Sequence, residues 1–297
     1  MNYGVVYPQT EMGKDPIAIR DYAQTAEELG FSHILAYEHV LGANPNRPGG
    51  LQGIYTHQDA FFEPFVLFSF LAGQTRKIGF VTDILVLPQR QTVLVAKQAA
   101  CLDILSGGRL RLGIGVGWND VEFIALNQEY HNRGRRIEEQ VEVLRLLWSH
   151  PLVNFEGKWH KILDAGLNPM PFKRLIPIWF GGNADQALER AARLGDGWMP
   201  NYRTPVAASS ALDKLDRYLE KAGRIRTKPW GTTNGGFGVE ASISYGEDVP
   251  DIWWTLIDGW QKVGATHISF DTLDAGFSSA NEHINAIHKI ARVVGLG

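Results

Sequence analysis

Residues 106–118 read Ser-Gly-Gly-Arg-Leu-Arg-Leu-Gly-Ile-Gly-Val-Gly-Trp, a Gly-rich turn followed by an apolar run that closes on Gly113, Gly115 and Gly117. So short an apolar run with turn residues at both ends reads as a buried strand. The glycines invite comparison with the G-x-G-x-x-G dinucleotide fingerprint, whose third glycine lets helix and strand pack closely. That glycine would have to stand at position 118, where the chain has Trp118. The open dinucleotide-binding sheet is rejected on this ground. The glycines then either let backbone approach a flat ligand at the strand end or permit a tight turn.

Outward from this strand the same unit recurs in both directions. Strands are expected at 3–7, 32–37, 78–87, 110–115, 176–180, 197–200, 238–245 and 267–271. Segments of helical period lie between them at 16–29, 64–75, 92–105, 134–149, 184–194, 205–222, 250–263 and 279–294. The first helix carries its own punctuation, with Asp15 as N-cap, Pro16 at the first helical position and Gly30 at the stop. A small hairpin turning on Gly157 interrupts the pattern after the helix that follows strand four. Eight strands in strict alternation with eight helices exceed what an open parallel sheet usually holds. The expectation is therefore an α/β fold, a (β/α)8 TIM barrel, with residues 1–297 forming one domain. In such barrels the C-terminal strand ends carry the chemistry, so those positions are read next.

Composition narrows the function before any motif does. Lys+Arg 29 against Asp+Glu 32 gives a net charge of −3, so there is no broad positive field for nucleic acid or an anionic membrane. Cys101 has no partner in the chain and sits among Ala99, Ala100, Leu102 and Ile104, as a core cysteine does. The N-terminus enters a strand at once, and the longest apolar run, 65–73, is far shorter than the roughly 20 residues that span a bilayer. A soluble cytoplasmic protein acting on small molecules is expected. His57, Asp59 and His131 lack the spacing of a compact metal site, and neither H-E-x-x-H, C-x-x-C nor G-x-S-x-G occurs.

Three strand positions and one helix start carry candidate residues. Gly181-Gly182-Asn183 precedes the helix expected at 184–194, where free backbone N–H groups and the helix dipole favour a phosphate; the alternative is a Gly-rich turn with Asn183 as cap. Glu38-His39 closes strand two, and a histidine there can bind a polar ring atom or shuttle a proton, or can simply tie down the following loop. Thr82-Asp83 interrupts the apolar strand three, which marks either a bulge or an internal ion pair. The run Asn132-Arg133-Gly134-Arg135-Arg136-Ile137-Glu138-Glu139 has the look of a phosphate patch, but arginines beside glutamates at a helix start read better as a solvated face with local pairs.

Together these pieces resemble the luciferase-like flavin and F420-dependent oxidoreductase family over essentially the whole chain. The resemblance is carried by Thr82-Asp83-Ile84-Leu85-Val86-Leu87-Pro88, by Ala96-Lys97-Gln98, by the run Leu102 through Trp118, and by Pro177-Ile178-Trp179-Phe180-Gly181-Gly182 and Gly195-Asp196-Gly197-Trp198. It implies a bacterial-luciferase-like barrel in which Gly115, Val116 and Gly117 lie along an isoalloxazine-type ring. It implies that Gly181, Gly182 and Asn183 hold the phosphate with Asn201 nearby, and that Thr82-Asp83 sits at a strand-three bulge carrying a non-prolyl cis peptide. Glu38-His39 is similar to an acidic-His pair that meets the cofactor centre in the F420 branch.

Two departures limit the transfer. Alcohol and sugar-phosphate dehydrogenases of the family place a tryptophan four residues after that histidine and a glutamate after the strand-four glycines, where this chain has Ala43 and Trp118. His39 is left as the candidate proton carrier, with Asp83 or Glu38 orienting it. The leading expectation is an F420-dependent oxidoreductase with catalytic residues His39, Glu38 and Asp83, and with Tyr55, Phe61, Phe62 and Trp118 walling the substrate pocket. The alternatives are an FMN-dependent monooxygenase and a barrel subunit without catalysis. By family analogy the partner is a second copy, as a homodimer.

Overall fold

The computed structural model describes residues 1–51, 53–172, 175–226, 236–246 and 250–297. The chain opens with strand β1 (Asn2–Val6), helix α1 (Pro16–Glu28), β2 (His33–Ala36), α2 (Pro64–Gln74), β3 (Gly79–Thr82) and β4 (Leu85–Val86). It continues with α3 (Thr92–Ser106), β5 (Leu110–Gly115), α4 (Asp120–Ala125), α5 (Arg133–Ser149), and the pair β6 (Val153–Glu156) and β7 (Lys161–Ala165). The last stretch holds β8 (Ile178–Gly181), α6 (Asp185–Leu194), β9 (Gly197–Met199), α7 (Pro205–Lys221), β10 (Gly238–Ser244), α8 (Pro250–Lys262), β11 (His267–Asp271) and α9 (Ala280–Val294).

The strands pair in the order β3-β2-β1-β11-β10-β9-β8-β5-β4, and β3 also pairs with β5, which closes the ring into the expected barrel. Its pairings are parallel, from Gly4 opposite His33 to Gly113 opposite Trp179. Among the described residues only β6 and β7 pair antiparallel, as the hairpin after α5. Local chemistry sets the helix bounds: the Asp15 side chain accepts from Ile17 N at 2.9 Å, Pro16 follows, and α1 buries Ile19, Tyr22, Ala23 and Ala26 against the barrel.

Two features depart from the sequence reading. The strand expected over 78–87 is two pieces, β3 and β4, separated at a cis Asp83–Ile84 bond, with β4 paired to β5 alone. The bulge thus falls where the family resemblance placed it, one residue on from Thr82-Asp83. The second is α4, which the hydrophobic pattern does not show: it is only six residues long, too short for a periodic signal.

Inside the barrel the side chains stack in layers. At the end where the strands begin, Glu240 accepts from His33 at 2.7 Å, and Arg111 and Ser269 also bond to it. Burial alone would raise the Glu240 carboxyl, but Arg111 and His33 hold it far below its ordinary range. Above this polar plug sits an apolar layer of Val6, Leu35, Val81, Trp179 and Met199, with Tyr37 and Ile84 packed on it. Glycine is required at 197 and 238, because a Cβ at either would lie 2.3 or 2.1 Å from the Trp179 ring. The lumen is therefore closed from below, and the polar groups outside this plug lie at the opposite end.

Candidate active site

At the C-terminal ends of the strands, His39 follows β2 and enters a ring of aromatics. Its centroid lies 5.0 Å from Tyr55, 4.9 Å from Phe61 and 5.5 Å from Trp118. Tyr55 and Phe61 come from the long loop after β2, which is held down at several points. Ala43 bridges to Thr56, and the buried Gln9 accepts from Phe62 N at 2.8 Å while donating to the Tyr37 carbonyl. Trp118 lies so close against Gly53 that a Cβ there would overlap its ring. Phe62 does not join the aromatic ring as expected, because it is spent on packing against the main core.

The partner of His39 is Glu122 of α4, whose Oε1 lies 3.2 Å from Nδ1. The same oxygen accepts from Val40 N at 2.8 Å and Leu41 N at 3.3 Å, and Oε2 accepts from Gln89 at 3.2 Å. Burial works to raise this carboxyl, but the His39 hydrogen bond and charge, with the Gln89 and Leu41 donors, hold it below the ordinary carboxylate range. The expectation that Glu38 or Asp83 would orient His39 is corrected. Glu38 turns the other way, accepting from Arg90 Nε at 2.7 Å and from Val86 N, and Arg90 also reaches Glu63 at 2.8 Å. Its carboxylate pins the end of β4, and no hydrogen bond joins it to His39 among the described residues.

Asp83 occupies the bulge with its backbone N–H donated to the Ala36 carbonyl at 2.8 Å. Its carboxylate makes no hydrogen bond or ion pair among the described residues, and burial, with Glu240 and Asp271 adding negative charge, pushes it up to about 7. Across Tyr37 stands Asp271 at the end of β11, which accepts from the Tyr37 hydroxyl at 2.7 Å. Burial raises Asp271 too, against the pull of that hydrogen bond. Tyr55, beside this acidic group, is pushed up to about 12, first by burial and then by Asp271 and its neighbours.

Gly115 and Gly181 share one rim, and the reason both are glycine is Ile84. A Cβ at Gly115 would fall 2.5 Å from Ile84 Cδ1, and one at Gly181 would fall 2.6 Å from its Cγ2. The side chain after the cis bond thus wedges between two strand ends, half-buried, and its free side forms an apolar floor to the mouth. The glycines make room for Ile84, a role that the sequence reading did not give them. Gly117, at φ +71°, is likewise filled by Val86, and Val116 packs on the main core. Thr82 is fully buried and donates its hydroxyl to Gly113 O at 2.6 Å, so its side chain is spent inside the barrel wall.

The start of α6 is also arranged differently from expectation. Ala184, not Asn183, is the N-cap, and no side chain caps the helix. Asn183 instead ties β8 to β9, donating to Asn201 O at 2.7 Å and accepting from Asn201 N at 3.0 Å. Trp198 fixes Gly182, which sits at φ +110°, by donating to its carbonyl at 2.8 Å. No side chain caps the start of α6, which follows the strand end at Gly181 that packs on Ile84. The apolar Ile84 between two strand ends, with an uncapped helix start after one of them, fits a ring that carries an anionic handle. Ile84, Glu122, Tyr37 and Asp271 are the residues sequence reasoning missed. Only Glu122 had a local signal, the capping spacing Asn119-x-x-Glu122, and that announces a helix without saying where the carboxylate points.

Fold and site together define a (β/α)8 barrel whose histidine, carboxylates and apolar floor converge on the mouth at the strand C-termini. The chain belongs to the luciferase-like monooxygenase family, whose model matches residues 1–289. An uncharacterized protein of Mycobacterium tuberculosis is 34% identical over 210 residues, covering 69% of each chain. An FMNH(2)-dependent dimethylsulfone monooxygenase of Pseudomonas fluorescens is 29% identical over 199 residues, covering 66% of this chain and 51% of that protein. Among solved structures, the coenzyme F420-dependent tetrahydromethanopterin reductase of Methanopyrus kandleri superposes with a TM-score of 0.77 at 16% identity, covering 98% of this chain and 97% of that one, which speaks to the fold. Among the described residues, no helix is long and apolar enough to cross a membrane.

Proposed function

We propose that this chain is an F420-dependent oxidoreductase that carries a hydride between the deazaflavin and a small organic substrate at the barrel mouth. The observation that supports it most is the Ile84 floor between Gly115 and Gly181, at the strand ends where His39 follows β2 and the uncapped α6 follows β8. Ile84 would back the ring, and the N–H groups following Gly182 would take the phosphate. When bound, F420 supplies a two-electron hydride donor or acceptor.

The chain's own residues supply the rest. His39, with Nδ1 committed to Glu122, exchanges a proton with the substrate at Nε2. Tyr55, Phe61 and Trp118 exclude water from that nitrogen. Asp83, titrating at about 7, holds a proton or a hydrogen bond at the opposite edge of the floor. We propose further that two copies pair through α2 and α3, which leave Val66, Phe70, Val93, Leu94 and Leu105 exposed.

The FMN-dependent monooxygenase reading is favoured by one observation, the FMNH(2)-dependent relative at 29% identity. Fluorescence titration of the purified protein with F420 and with FMN separates the readings. F420 binding in preference to FMN is the expected result. Tight FMN binding without F420 binding replaces the proposal with the monooxygenase, and binding of neither leaves a barrel subunit without this chemistry.

A further inference from the structure

We infer that Glu122 is the positioning residue of this site, fixing which nitrogen of His39 exchanges protons and seating the loop that covers it. The inference rests on the proposed proton role of His39 only for its use in turnover; the arrangement itself is read from the chain alone. The Glu122 side chain is 1% exposed and that of His39 11% exposed, so both act away from bulk water. An ionised carboxylate only accepts hydrogen bonds, and Oε1 already receives Val40 N–H and Leu41 N–H. Nδ1 must therefore carry the hydrogen between itself and Glu122, whether the imidazole is neutral or charged. Every proton that His39 gains or loses then passes through Nε2, which has no hydrogen-bond partner among the described residues.

The same carboxylate fixes the covering loop. Val40 and Leu41 are its first residues, and their N–H groups converge on the oxygen that holds the histidine. Gln89, at the end of the segment after β4, anchors Oε2, so Glu122 joins strand ends two and three to α4. The groups that face His39 are Glu122 from α4, Tyr55 and Phe61 from the loop, and Trp118 after β5. Only Glu122 among them brings a negative charge, and only Tyr55 besides it can titrate.

Two variants separate geometry from charge. Glu122→Gln keeps a carbonyl oxygen for His39 Nδ1–H and the two backbone donors, and Gln89 can rotate its amide to present Oε1, which is buried without a partner. It removes the charge alone. Glu122→Met removes the acceptor as well. Nitrogen-15 NMR of histidine-labelled protein, with no cofactor added, reports the tautomer of His39 directly, with His39→Gln giving the assignment. The wild type and Glu122→Gln are expected to show the Nδ1–H form, while Glu122→Met shows a mixture or the Nε2–H form. The wild-type measurement stands even if Glu122→Met does not fold. An Nε2–H form in the wild type, or an unchanged tautomer in a folded Glu122→Met, overturns the inference. Neither result depends on which cofactor binds, so failure of the F420 proposal leaves the test intact.

Discussion

Asp83 shows how one residue ties the mouth to the stability of the whole chain. Its carboxyl titrates at about 7 in the folded chain against 3.8 when unperturbed, so the folded state holds the proton more tightly. Folding then takes up a proton between those limits, and stability falls as pH rises through that window, with the full penalty present above pH 7. Asp83→Asn removes the charge while keeping the shape. Thermal unfolding should show the variant melting roughly 4 °C or more above the wild type at pH 8, with the difference vanishing near pH 4. An equal difference at both pH values would mean that the carboxylate carries no burial penalty. The sequence made this position visible, since an acid in an apolar strand is costly unless something accounts for it. It could not make Glu38 legible in the same way, because the Arg90 that claims it stands 52 positions along the chain. Nor could it show that Glu122 orients His39, since that pairing depends on where a six-residue helix aims one side chain.

At the scale of elements, the wedge of Ile84 between the ends of β5 and β8 makes a prediction with its own control. Gly115→Ala places a methyl near Cδ1, the far end of the side chain, while Gly181→Ala places one near Cγ2, which moves only if χ1 turns. Overpacking of this kind typically costs about 1–3 kcal/mol, and Gly181→Ala should lie at the upper end. Ile84→Val deletes Cδ1 and keeps Cγ2, so it should restore part of the stability of Gly115→Ala and none of that of Gly181→Ala. Denaturant unfolding of the two single and two double variants reads the difference. If Ile84→Val rescued both equally, the two glycines would not meet different faces of one side chain. The alternation of apolar runs and helical segments made the barrel and the hairpin legible, because period and punctuation are local. The broken third strand was legible only as a polar interruption, and the partner that fills the glycines was not, because close approach between strands is a property of three elements at once.

For the whole molecule, the consequence of a mouth assembled from several strands is that a ligand seated there stabilises the barrel as a unit. The Ile84 floor rests on β5 and β8, His39 follows β2, and Asp271 ends β11, strands spread around the ring. A group that binds the folded state alone adds about 2.7 kcal/mol at a concentration a hundredfold above its dissociation constant. In a chain of 297 residues that corresponds to a rise in melting temperature of roughly 4 °C. F420 at saturating concentration is expected to produce that rise in the wild type and in Glu122→Gln, whose change lies beneath the histidine rather than under the ring. Gly181→Ala, which drives Ile84 into the space above the floor, should lose most of the rise even after its lower starting stability is subtracted. Differential scanning calorimetry of the three proteins with and without F420 makes the comparison. A full ligand-induced rise in Gly181→Ala would place the binding surface away from Ile84 and would remove the observation on which the cofactor proposal leans.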